Sequence, residues 1–188
     1  MSTRFSELAK RAFSFLEEAG YRLTRTELAE VQYESHKAFV VVTWDPRSGE
    51  LDALVGLLPR SGTAIDEYSL ADVMAADGVP ASDCEITQVS EEERLGSSLE
   101  QLAAKLRTHA LPALAGDRMY FRRLETFRSA RAAAFMREMK LRKVRSEAEE
   151  AWRHRQLDRV VALFASVESD LSESEARKLD YARRHQAR

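Results

Sequence analysis

One stretch of the chain decides the fold class: VVVTWDPRSGEL, residues 40–51. It begins with β-branched and aromatic residues, the composition that fits the pleated surface of a strand. Asp45-Pro46-Arg47-Ser48-Gly49 then supplies turn chemistry, because proline presets φ and glycine tolerates positive φ. A second apolar run continues from Leu51 to Leu58. Because the connection is short, the stretch predicts two antiparallel strands joined by a hairpin turn.

Further elements are predicted on the N-terminal side of this hairpin. Residues 31–35 alternate apolar and polar side chains, as a half-buried strand does. Residues 5–19 carry apolar side chains at the spacing of an amphipathic helix. Residues 21–26 fit either a first strand or a helix start, because Thr24 and Glu27 also match a capping box. We therefore expect a three- or four-stranded antiparallel sheet with the first helix on one face.

The rest of the chain is predicted to be mostly helical. Ser69 opens a short helix, residues 85–89 hold a possible short strand, and Ser97 with Glu100 matches a capping box. No Gly or Pro follows Gly116, so the last 72 residues should be helical almost throughout.

The longest helical pattern places several large apolar side chains on one broad face: Phe121, Leu124, Phe127, Phe135 and Met139. Breaks are expected near residues 154–156 and 170–172, where Ser172 and Glu175 form a further capping box. The helices predicted around these breaks cover residues 146–155, 156–169 and 172–184.

These patterns predict an α+β fold: a small antiparallel sheet packed with helices, followed by an all-helical C-terminal region. We expect an α+β domain over residues 1–111 and a helical region over residues 117–188, made of a long helix plus a helical hairpin. Pro112 and Gly116 interrupt the chain between them. Residues 112–117 are compatible with a domain boundary or with a tight turn inside one core.

Composition indicates a globular protein of a reducing compartment. The chain has 188 residues, of which 44% are hydrophobic and 32% charged. Cys84 is the only cysteine, so no intrachain disulfide can form. The longest uncharged apolar stretch, residues 53–59, is far shorter than the ~20 residues of a bilayer span. We therefore expect a cytoplasmic protein with no membrane segment.

The net charge of −2 hides an asymmetry between the two halves. Residues 1–117 contain 11 Lys and Arg against 20 Asp and Glu, a net charge of −9, whereas residues 118–188 contain 18 against 11, a net charge of +7. This division suggests two faces of opposite potential, or two halves that attract each other.

No catalytic, cofactor-binding or metal-binding residues are predicted. Gly-rich phosphate loops, GxSxG and HExxH are absent, and Cys84 has no CxxC neighbour. The four histidines are His36, His109, His154 and His185. None of them has a partner at the spacing of a zinc site or a nucleophilic site. The sequence therefore favours a protein that is not an enzyme and needs no cofactor.

A basic segment raises the alternative of nucleic-acid binding. Residues 118–159 contain 13 Lys and Arg against 6 Asp and Glu, with Phe and Tyr interleaved. The candidate phosphate contacts are Arg122, Arg123, Arg142, Lys143 and Arg145. The competing interpretation is that the acidic N-terminal half neutralises this segment, within one chain or across a dimer.

Two resemblances bear on the fold and function. Residues 148–164 resemble one helical hairpin of a tetratricopeptide-like repeat, but one repeat is too few to build a solenoid. The strings FSFLEEAGY (13–21), VQYES (31–35), VVVTWDPRSGEL (40–51), SLADV (69–73) and LSESEARKLDYARRH (171–185) resemble a family of small uncharacterised bacterial proteins. Members of that family have an immunity-protein-like N-terminal α+β domain and a helical-hairpin C-terminus.

This second resemblance implies binding to another protein, such as a toxin or a subunit of a defence complex, and brings no catalytic residues. An acidic face could steer the chain to a basic nuclease toxin. The candidate partner-binding residues are Tyr33, Trp44, Asp45 and Arg47, since aromatic side chains near a turn often anchor interfaces. The alternative is that Tyr33 and Trp44 are core or boundary residues.

The leading prediction is a non-enzymatic protein-interaction module of the immunity or defence-accessory type. Two alternatives belong to other classes: a nucleic-acid-associated adaptor that uses the Arg-rich helix, and a structural subunit that self-assembles through its long helix.

Overall fold

The computed structural model describes residues 4–58, 67–84, 87–89 and 92–185. It confirms the predicted class, an antiparallel sheet with helices and a long helical C-terminal region. The chain forms two compact units, Met1–Arg128 and Ser129–Arg188. The division into an α+β domain over residues 1–111 and a helical region over residues 117–188 stays a prediction.

The sheet of the first unit has six antiparallel strands among the described residues, more than the three or four expected. The strand order is β1-β2-β3-β4-β5, and β6 also pairs with β4. β6 lies within the short strand predicted over residues 85–89, and the additional strand β5 is too short to show an alternating pattern in the sequence. The strands are β1 Arg22–Thr26, β2 Glu30–Glu34, β3 Ala38–Trp44, β4 Glu50–Leu57, β5 Glu67–Ser69 and β6 Thr87–Gln88.

The predicted hairpin is the centre of this sheet. Val42 lies opposite Ala53 and Trp44 opposite Leu51, so β3 and β4 pair along their whole length. Gly49 closes the turn with a φ of 74° and accepts a 2.7 Å hydrogen bond from the N–H of Val89. The ambiguous residues 21–26 form strand β1, so the strand alternative is confirmed and the helix start is wrong.

Helices cover one face of the sheet. The single helix expected over residues 5–19 is two helices, with a break at Phe13 and Ser14. Ser69 caps its helix as predicted, whereas Ser97 bonds back to the carbonyl of Arg94 and caps nothing. The helices of this unit are α1 Arg4–Ala12, α2 Phe15–Glu18, α3 Leu70–Ala76, α4 Leu95–His109 and α5 Leu111–Leu114.

One core occupies the first unit, and the start of the next helix, α6 (Arg118–Arg153), contributes to it. Phe121 and Leu124 of α6 are buried with Ala113 of α5. The hydroxyl of Tyr21 donates to the carbonyl of Leu114 at 2.7 Å. Residues 112–117 therefore lie beside this core, with Gly116 at a φ of 67° between α5 and α6.

The second unit contains the rest of α6 together with α7 (Leu157–Ala165) and α8 (Glu173–His185). The helix start predicted at residue 146 is wrong, because α6 continues unbroken to Arg153. The break near 154–156 is confirmed, and so is the capping box: Ser172 Oγ accepts from the N–H of Glu175, whose Oε2 accepts from the N–H of Ser172. The buried residues of this core are Val144, Ala148, Ala151, Val160, Phe164, Val167, Leu179 and Ala182.

The core of the first unit generates a stability prediction at Tyr33. Its hydroxyl is buried with no hydrogen-bond partner in the described part of the chain, and burial raises the pKa of Tyr33 to about 12. Removing an unsatisfied hydroxyl costs little, so Tyr33→Phe should match the wild-type free energy of unfolding or exceed it by up to about 1 kcal/mol.

Tyr21→Phe is the matched control, because it removes a hydroxyl that donates to a carbonyl and should lose about 1 kcal/mol. Urea unfolding of both variants measures the difference. A larger loss for Tyr33→Phe than for Tyr21→Phe would contradict the prediction.

Candidate interaction surfaces

The turn between β3 and β4 is exposed, and the side chain of Asp45 holds it together. Asp45 Oδ1 accepts a hydrogen bond from the N–H of Arg47 at 2.8 Å, and Oδ2 accepts one from the Ser48 hydroxyl at 3.1 Å. The bond from the Arg47 N–H is the main cause of the lowered pKa of Asp45. Much of the hydrogen-bonding capacity of this carboxylate is therefore used inside the turn.

The four predicted partner-binding residues do not share one surface. Tyr33 is 0% exposed, because its side chain lies on the covered face of the sheet opposite Val40. Its assignment to an interaction surface is wrong, and the core alternative holds. Trp44 is half-buried and stacks on Phe5 with ring centroids 6.0 Å apart. Asp45 and Arg47 remain as exposed candidates.

The five predicted phosphate contacts all lie on α6 and are exposed. Arg122 and Arg123 belong to the first unit, where Arg123 forms an ion pair with Asp77 and lies 4.8 Å from the ring centroid of Tyr120. The Arg122 guanidinium is 3.9 Å from the sulfur of Met119.

The other three predicted phosphate contacts belong to the second unit, and each has a carboxylate neighbour. Arg142 is 3.1 Å from Glu138, Lys143 is 3.9 Å from Glu147, and Arg145 is 2.9 Å from Glu175. Exposed pairs of this kind contribute only about 0–1 kcal/mol and exchange readily. They nevertheless lower the positive potential that a phosphate backbone would meet.

A different surface stands out on the part of α6 that belongs to the second unit. Every residue from 129 to 140 is exposed, and this segment carries large apolar side chains. Phe135 is 61% exposed, Met136 65% and Met139 44%. With Ala132 they occupy positions i, i+3, i+4 and i+7, which lie on one side of a helix. We call Ala132, Phe135, Met136 and Met139 the apolar stripe.

The opposite side of the same helix packs into the second core. Leu141, Val144, Ala148 and Ala151 follow one another at spacings of three and four residues, and α7 and α8 cover them. At 100° per residue, the centre of this buried side lies roughly 150° around the helix from the centre of the apolar stripe. The stripe is therefore not an extension of the core.

The sequence reasoning missed this surface because it assigned Phe121, Leu124, Phe127, Phe135 and Met139 to one broad face. Phe121 and Leu124 are buried in the first unit, whereas Phe135 and Met139 are exposed. The available signal was the local i, i+3, i+4, i+7 pattern from Ala132 to Met139 among basic residues.

Asp52 has a perturbed acidity, which is a common mark of a functional group. Burial is the main cause that raises the pKa of Asp52 to about 6. Its carboxyl accepts hydrogen bonds from the N–H groups of Ala53 and Leu70. The adjacent cavity, which Cys84 and Lys105 also line, has a volume of only about 20 Å³. Because this is room for about one water molecule, Asp52 is best interpreted as a structural group.

In the part of the chain that the structure describes, no three His, Cys, Asp or Glu side chains come together as a metal site would require. The partly buried thiol of Cys84 lies 3.5 Å from the carbonyl oxygen of Val79.

Comparisons of the chain with protein-family models, curated proteins and solved structures found no match. The resemblance to immunity-like proteins therefore stays a prediction. Within the ranges that the structure describes, no helix combines the length and apolar character needed to cross a bilayer.

Asp52 gives a pH-dependent prediction. A raised pKa means that the folded chain retains a proton between about pH 4 and pH 6 that the unfolded chain has released. The contribution of Asp52 to stability therefore falls as pH rises through that window, by at most about 3 kcal/mol. Asp52→Asn should be more stable than wild type at pH 7, with a smaller difference at pH 4.

Urea unfolding of both proteins at a series of pH values measures this change. If Asp52→Asn is the less stable protein at pH 7, the ionised carboxylate stabilises the fold and the assignment of Asp52 is wrong.

Proposed function

We propose that this protein is a non-enzymatic protein-interaction module that binds an acidic partner protein through the apolar stripe of α6. The observation that supports this proposal is the exposure of Phe135, Met136 and Met139 on one side of a helix whose other side is packed. An exposed apolar patch that is surrounded by polar residues commonly marks a binding site.

The stripe has the geometry of a helix that inserts into a groove. Anchors at i, i+3, i+4 and i+7 are the pattern by which an amphipathic helix is recognised. The aromatic ring of Phe135 supplies a large, rigid contact area. Met136 and Met139 are flexible and polarisable, so they adapt to an irregular apolar surface.

The charge around the stripe defines the chemistry of the partner. Residues 129–143 contain five Lys and Arg and one Glu, a net charge of +4. A groove rimmed by Asp and Glu complements this segment and accelerates association. A second copy of the chain would bring two segments of +4 together, which opposes pairing of two stripes.

The apolar centre of the surface also favours protein over nucleic acid. The carboxylates beside Arg142, Lys143 and Arg145 lower the positive potential that drives phosphate binding. The narrower assignment to immunity or defence is supported only by the sequence resemblance, and so is a toxin as partner.

The test compares matched variants of the tagged full chain in pull-downs from the native host. Phe135→Ser with Met139→Ser removes two anchors of the stripe and should weaken capture of a stoichiometric acidic protein by at least about thirtyfold, since an anchor residue contributes about 2 kcal/mol or more. Met119→Ser is the control, because Met119 lies on the same helix, is 67% exposed and is outside the stripe. It should leave capture unchanged.

Arg47→Ala tests the hairpin turn in the same experiment. Loss of the partner with Arg47→Ala but not with the double variant would contradict the stripe and favour the turn. Capture of nucleic acid alone would support the adaptor alternative, and a concentration-dependent dimer in light scattering that the double variant abolishes would support self-assembly. Circular dichroism must show that each variant is folded.

A further inference from the structure

An open cleft of about 640 Å³ lies in the second unit, where α6 ends and α7 begins. It is lined by Trp152, Arg153, Arg155, Leu157 and Tyr181. Its volume falls within the range of about 300–1,000 Å³ that is typical of small-molecule sites. Two aromatic rings and two guanidinium groups thus border one opening, which is separate from the apolar stripe.

Arg155 occupies a backbone position that disfavours arginine. Its φ is 56°, and no other non-glycine residue in the described ranges has a positive φ. The N–H of Arg155 donates a hydrogen bond to the carbonyl of Trp152 at 3.0 Å. The N–H of Gln156 donates one to the carbonyl of Ala151 at 2.9 Å. This pattern ends a helix at a left-handed residue, usually glycine, because a Cβ is strained there.

The side chain of Arg155 is available to a ligand. It is exposed, and it has no hydrogen-bond or ion-pair partner among the described residues. Arg153 is also exposed and lies near Glu149, whose pKa is lowered mainly by the hydrogen bond from Lys178 and to a smaller extent by Arg153. Among the described residues, Arg155 is therefore the cation of the cleft with no carboxylate beside it.

The aromatic side of the cleft is ordered by its own contacts. Trp152 meets Tyr181 nearly edge to face, with ring centroids 5.5 Å apart. Tyr181 stacks on His185 at 4.0 Å and remains 48% exposed. Since His185 already covers one face of Tyr181, the rings offer an apolar wall rather than two free faces for a stacked base.

From these observations we infer that this cleft binds a carboxylate attached to an aromatic or large aliphatic group. Arg155 and Arg153 hold the carboxylate, because guanidinium groups bind carboxylates with two parallel hydrogen bonds. Trp152, Leu157 and Tyr181 cover the apolar group. A role of its side chain in binding the ligand accounts for an arginine at this strained helix end. This inference does not depend on the proposed function.

Such a carboxylate has two sources: a free amphipathic acid or the C-terminus of a peptide. The test uses the full chain and three probes: N-acetyl-phenylalanine, its C-terminal amide, and a pentapeptide that ends in phenylalanine with a free carboxylate. Binding is followed by NMR through the indole N–H signal of Trp152, which the Trp44→Phe variant identifies because the chain has two Trp residues.

Both free acids should shift the Trp152 signal at concentrations up to about 5 mM, and the amide should not. A peptide that binds at least tenfold more tightly than N-acetyl-phenylalanine would identify a peptide terminus as the ligand, and similar affinities would identify a free acid. Equal shifts with acid and amide, or no shift with either acid, would overturn the inference.

Two variants distinguish a role of Arg155 in binding the carboxylate from a purely structural role. Arg155→Gly should weaken acid binding by about tenfold or more and raise the thermal midpoint by about 4 °C, because glycine relieves the backbone strain. Arg159→Ala, which removes an exposed positive charge from α7 outside the cleft, should leave binding unchanged. Unchanged binding in Arg155→Gly would contradict the inference.

Discussion

The structure depends on one helix, α6, that takes part in two hydrophobic cores. Phe121 and Leu124 are buried in the first unit, and Ala148 and Ala151 in the second. The helix is 36 residues long, and helices gain most of their stability from packing rather than from propensity. Burial of both ends therefore stabilises the exposed segment 129–140 between them.

The apolar stripe and the cleft beside Arg155 have one property in common: each contains a feature that the packing of the chain does not explain. The apolar stripe exposes Phe135 and two methionines that could have been polar without loss to either core, and Arg155 occupies a backbone position that favours glycine. The stripe keeps apolar area that folding leaves in water, and the backbone strain at Arg155 has no compensating side-chain contact among the described residues. Binding of an outside group would bury the apolar area of the stripe and would offset the strain at Arg155, since backbone strain clusters at functional sites.

The sequence predicted what local patterns determine. The β3–β4 hairpin, the Ser69 cap, the helix break near Arg155 and the Ser172 capping box all arise from residues close together in the chain. Of the six strands, β6 falls within the short strand expected over residues 85–89, whereas β5 was missed because three residues are too short for periodicity. The exposure of Phe135 was missed because Leu124 and Phe135 give the same helical signal, and only long-range packing decides which is buried. For Tyr33 the sequence left a surface position and a core position open, and its strand pattern alone could not show which face of the sheet the helices cover.

The most direct measurement of the central claim is the oxidation rate of each methionine in the free protein, followed by mass spectrometry. Met74 is 3% exposed and Met119 67%, so they are internal references for a buried and an exposed thioether. The account predicts that Met136 and Met139 react with peroxide within about threefold of the rate of Met119 and at least about tenfold faster than Met74. If both react as slowly as Met74, the stripe is covered in the free protein and is not an open binding surface.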